Sequence, residues 1–135
     1  MEHPKNWSTL HTLAFLYLTF SYTADGSLDK REIQAMMKRL QRWAPNDPPE
    51  AIANIIREVG VWYRHFGSED ERRMMSSDYS YVLKDELDEL QRMEIVADLA
   101  AIARADGKIS PGEVGFINAI REIFGVMSPI TDSAP

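Results

Sequence analysis

The 135-residue chain contains no cysteine. That excludes disulfides, thiolate metal sites and cysteine nucleophiles. Histidine is scarce too: His3, His11 and His65 are scattered and none has ligand spacing. Positive charge is in deficit, with 15 Lys+Arg against 21 Asp+Glu and a net charge of -6. A free-standing nucleic-acid binder ordinarily carries the opposite sign, and no basic cluster faces an anionic membrane surface. No glycine-rich phosphate loop occurs. No stretch alternates apolar and polar residues for long, so no sheet is expected. The apolar run from Leu13 to Phe20 is far shorter than the roughly 18–20 residues of a membrane span. Glu2 and His3 make a poor basic leader, and Tyr22 stands where a small residue would precede a cut after Ala24. The run therefore reads as a buried first helix rather than a signal peptide, and the protein as cytoplasmic.

What is present is helical periodicity almost throughout. The hydrophobic fraction is 44% and the charged fraction 27%, ordinary values for one globular domain. The expectation is an all-α, compact helical bundle of about six to seven helices, occupying residues 1–126. Residues 127–135 form a polar, Pro-containing tail expected to be disordered. Helix one runs from about Trp7 to Thr23 and is apolar on several faces, as a central helix would be. The second, Lys30 to Trp43, carries Ile33, Met36, Met37, Leu40 and Trp43 on one face. The third begins after Asp47 and ends at Phe66, with Gly67 expected as a left-handed cap. A short helix follows Ser68. A long helix is expected over Val82 to Ala105, and the last starts at Pro111 and stops at Gly125.

Two segments match without a gap. Ala24-Asp25-Gly26-Ser27-Leu28-Asp29-Lys30-Arg31-Glu32-Ile33 aligns with Ala105-Asp106-Gly107-Lys108-Ile109-Ser110-Pro111-Gly112-Glu113-Val114 at an offset of 81. Each copy ends one helix and starts the next, so the bundle is expected to be an internal pseudo-two-fold duplication. Much of the motif is helix capping. Asp29 and Ser110 are N-caps, with Glu32 and Glu113 three residues later, which makes a capping box. Asp47 with Glu50 and Ser68 with Glu71 repeat the pattern elsewhere.

Capping leaves Asp25 and Asp106 unexplained. A carboxylate at a helix C-terminus meets the negative end of the helix dipole. An Asx-turn would compensate. A divalent cation of the Ca or Mg class would resolve the conflict better, because carbonyls, Asp and Glu are its ligands. Neither copy is an EF-hand. The first and third loop positions would be Ile102 and Arg104 in one copy, Ser21 and Thr23 in the other. A cation site needs oxygens from both copies.

An apolar helix ending Ala-Asp-Gly, then Leu or Ile, then polar residues, Glu and a second apolar helix resembles the TerB-like tellurite-resistance domain, over about Leu10 to Val126. The resemblance implies a compact all-α fold and a non-enzymatic role in stress response. It also implies a divalent-metal site of acidic residues, and protein partners often at the inner membrane face. By position Asp25, Glu32, Asp106 and Glu113 match the acidic pattern, with Asp98 a weaker candidate. The counterpart of Asp98 in the first copy is Tyr17, so that acid is not duplicated. Related membrane co-chaperones add a J domain; here His3-Pro4 is followed by Lys5, so the J-domain His-Pro-Asp motif does not form.

No nucleophile or acid–base set suggests an enzyme. The competing reading is a protein-interaction adaptor, binding a partner or a second copy, in which the acidic motifs are only caps. Trp62, Tyr63 and Phe66 crowd one helix end, and Met36-Met37 with Met74-Met75 offer adaptable apolar surface; core packing is the commoner use of such residues.

Overall fold

The computed structural model describes residues 3–25, 30–105, 107 and 109–126, with the backbone alone at 24 and 25. Its six helices are α1 (Thr9–Asp25), α2 (Lys30–Trp43), α3 (Pro49–His65), α4 (Glu69–Glu86), α5 (Glu89–Arg104) and α6 (Pro111–Phe124). The described residues contain no strand, and none of their helices is long and apolar enough to cross a membrane.

Helix α1 is the axis of the bundle. Every residue from 11 to 21 is buried, and α1 packs against all five other helices. Leu13, Phe15, Leu16, Tyr17 and Phe20 are wholly inaccessible; burying a large apolar side chain contributes about 1.5–3 kcal/mol. A helix buried all round must also satisfy its polar groups. Thr19, Ser21 and Thr23 do so by donating their hydroxyls to the carbonyls of Phe15, Tyr17 and Thr19, at 2.9, 3.0 and 2.9 Å, the back-bonding open to hydroxyl residues inside a helix. At its start the Ser8 Oγ accepts from the His11 amide at 3.4 Å, while the Ser8 amide donates to His11 Nδ1 at 3.1 Å. His11 thus fills the role usually taken by Glu in a capping box. It is buried.

The duplication appears in the packing. An offset of 81 exchanges α1 with α5 and α2 with α6. The contacts α1–α2 and α5–α6 are both made, as are α1–α6 and α2–α5, and α1 meets α5 directly. This set is unchanged by the exchange, as a pseudo-two-fold requires. Helices α3 and α4 complete the shell against α1, and α4 also covers α6.

Three local expectations are corrected. The chain from Glu69 to Arg104 is not a short helix followed by one long one. It is two helices of similar length, broken at Leu87 and Asp88. The spacing of Leu83, Leu87 and Leu90 runs across that break and hides it. Asp88 makes the break by accepting from the Gln91 amide at 2.8 Å, while the Asp88 amide donates to Gln91 Oε1 at 3.0 Å. Asp47 does not cap α3; Pro48 holds that position with no side-chain bond. Gly67 is not left-handed, because Phe66 ends α3 in an extended conformation. The left-handed glycines among the described residues are Gly107, with φ of 88°, and Gly125, with φ of 66°. The aromatic cluster at the end of α3 is packing: Trp62 Nε1 donates to the Tyr79 hydroxyl at 3.0 Å, and Phe15 lies edge-on to Phe66 and Tyr79.

Candidate functional site

Two polar centres are built into the bundle. The first surrounds Asp98, which is completely buried on α5. Its Oδ2 accepts from the Tyr17 hydroxyl at 2.5 Å and from Trp43 Nε1 at 2.8 Å, and its Oδ1 accepts from Arg39 Nε at 2.6 Å. Arg39 also lies 4.0 Å from Glu94, which pairs with Arg42 at 2.9 Å. Tyr17 and Asp98 are counterparts under the repeat, 81 residues apart, and they bond to each other. The pseudo-two-fold axis therefore passes between α1 and α5 at this pair. Arg39 and Trp43 sit one turn apart on α2, and their counterparts on α6 are the buried Ile120 and Phe124. The two halves share a backbone plan, and only one carries donors.

Burial raises the Asp98 carboxyl above its ordinary range, with the bonds from Trp43, Tyr17 and Arg39 pulling it back. Desolvation, and next the adjacent carboxylate, push the Tyr17 hydroxyl well above its usual value. Both Asp98 oxygens are thus committed to protein donors. Expected from its position as a weaker cation ligand, Asp98 instead ties α1, α2 and α5 together. The lack of an acidic counterpart follows, since Tyr17 is the donor. Nothing in the sequence marks Arg39 and Trp43 as polar partners of a residue more than fifty positions away.

The second lies at the described flanks of the two acidic bends. Glu113 lies in the first turn of α6 and is 1% exposed. Ser110 caps α6 by accepting from the Glu113 amide at 3.1 Å, and the Ser110 amide donates to Glu113 Oε1 at 2.9 Å. The capping box is complete, yet it uses only one carboxylate oxygen. Glu113 Oε2 is buried and has no hydrogen-bond partner among the described residues, an arrangement that costs free energy unless something else binds it. Glu32, the counterpart in the first turn of α2, is 2% exposed.

The bends come from distant stretches of chain, and the packing brings their flanks together. A Cβ placed on Gly112 would lie 3.4 Å from Thr23 Cγ2 and 3.6 Å from the Thr23 carbonyl oxygen. The end of α1 that leads into the first bend therefore rests against the start of α6 that leaves the second. The Asp25 side chain and all of Asp106 lie outside the described residues, as do Asp29 and the capping box expected there. Among the described residues no group of three or more His, Asp or Glu is placed to hold a metal ion.

Helical throughout, built on a duplicated helix-bend-helix unit and closed around an inaccessible first helix, the chain has the architecture that its repeat implies. The family model described as tellurite resistance protein TerB matches residues 11–131, and the chain belongs to that family. No curated protein and no solved structure matches the chain significantly.

Proposed function

We propose that this TerB-family module is non-enzymatic and binds a divalent cation of the Ca or Mg class, through Glu32 and Glu113 with Asp25 and Asp106, as part of a cytoplasmic stress-response assembly. The supporting observation is the orphaned Glu113 Oε2, on the residue next to the Gly112 that rests against the end of α1. Hard cations favour carboxylate and carbonyl oxygens, and a cation there would supply what the protein does not. It would also offset the repulsion between acidic bends and the negative end of the α1 dipole. Asp98 has no part in this reading, because three donors already hold it.

Thermal unfolding with chelator, then with millimolar Ca²⁺ or Mg²⁺, tests the proposal. A cation at a hundred times its Kd stabilises by about 2.7 kcal/mol. Glu113→Gln retains an acceptor for the Ser110 amide, so it should fold normally and lose that response. An identical melting curve with and without cation overturns the reading.

The adaptor reading keeps one observation of its own. Met74, Tyr81 and Val82 are exposed along α4, at spacings that place them on one helical face. A partner or second copy covering that face would leave the response to cations untouched.

A further inference from the structure

A cleft of about 350 Å³ opens between α4, α6 and the end of α1, within the range of small-molecule sites. Its floor is unusual for a helix surface. Gly112, Gly115 and Ala119 follow one another along α6 where larger side chains would otherwise stand. Packing does not demand the glycine at 115: a Cβ there would meet nothing within 4 Å. A helical glycine is unfavourable relative to alanine, so its effect at this place is to keep the cleft deep. Phe116 and Ile123 form apolar walls.

Four polar residues, Thr23, Arg73, Ser76 and Ser77, interrupt the apolar lining. Ser76 on α4 is 2% exposed, and its Oγ has no hydrogen-bond partner among the described residues. Arg73, one turn earlier on α4, also lines the cleft. It is exposed and makes no ion pair among the described residues. In a chain of net charge -6, an unpaired guanidinium beside an apolar trough selects an anion with an apolar body.

We infer that this cleft binds a small apolar monocarboxylate, its chain lying over Gly115 and Ala119 and its carboxylate meeting Arg73 and the Ser76 hydroxyl. The orphaned hydroxyl then gains an acceptor and the guanidinium a counter-charge. Glu113 does not line the cleft, but Thr23 and Gly112 do, so the cleft adjoins the proposed cation site without sharing Glu113.

Octanoate is the probe, titrated into the full chain in the presence of chelator and followed by calorimetry and amide chemical shifts. Chelator keeps the result independent of any bound cation. Saturable binding with a Kd of about 1 mM or tighter is expected, in line with what roughly ten heavy atoms yield. The shifts should centre on residues 73–77 and 112–123. Gly115→Leu fills the cleft over open space, so it should melt no lower than the parent and bind no octanoate; Ala119→Phe provides a second filling variant. Arg73→Gln should weaken octanoate about tenfold through loss of the charged contact and leave the neutral 1-octanol unchanged. The inference is overturned by absence of octanoate binding in the millimolar range. It is equally overturned by binding that survives both filling variants, or by shifts that map to another face.

Discussion

The hydroxyl of Tyr17 offers the sharpest test of the core. Replacing Tyr17 with Phe keeps the ring, which is wholly buried, and removes one 2.5 Å bond to the Asp98 carboxylate. A hydrogen bond to a charged group contributes about 1.5–3 kcal/mol. Trp43 and Arg39 still hold Asp98, so the carboxylate is weakened rather than stripped, and a loss of about 2 kcal/mol is expected. For a domain of this length that lowers Tm by about 6–10 °C. The pH dependence is a second readout. Burial places the folded pKa of Asp98 above its unfolded value of 3.8. Between those two values the native state holds more proton than the unfolded chain, so this group's contribution to stability falls as pH rises through the window and is constant above it. Without the Tyr17 bond the folded pKa rises further and the window lengthens upward. The deficit of Tyr17→Phe should be full near neutral pH and should narrow on acidification toward the unfolded value of 3.8. Urea unfolding of parent and variant at both pH values measures it. A deficit below about 0.5 kcal/mol, or one that widens on acidification, refutes the reasoning.

Three further outcomes follow from the same geometry. Arg39→Met leaves a buried carboxylate without its counter-charge; a fully buried pair broken in this way costs about 3–5 kcal/mol, and because the Arg39 side chain is 21% exposed chemical denaturation should show about 2–4 kcal/mol. Adding Asp98→Asn to it should cost less than the sum of the two, as a double-variant cycle would record. Ser110→Ala removes the acceptor for the Glu113 amide and should cost about 1 kcal/mol in thermal unfolding. Gly125→Ala forces a Cβ into the left-handed conformation at φ of 66° and should lose about 1–2 kcal/mol, while Gly125→Asn should lose less.

The sequence by itself determined most of the helices, the central place of α1 and the duplication, because each is written locally. Periodicity marks a buried face, glycine permits the left-handed stop at Gly125, and Ser110 with Glu113 closes a box within a single turn. Local pattern failed where two signals overlapped. The leucine spacing ran through the break at Asp88, and Asp47 beside two prolines mimicked a cap that Pro48 occupies. The candidate ligands were legible as residue types. Their partners were not, since Tyr17, Arg39 and Trp43 lie 55 to 81 residues from the carboxylate they share. Only the crossing of α1, α2 and α5 decided that Asp98 is a buried acceptor. Only the packing of α6 on the end of α1 brought the flanks of the two acidic bends together. A hydrogen bond or a ligand oxygen acts over about 3 Å, and which distant residues come that close is a property of how helices pack, which no single stretch of chain encodes.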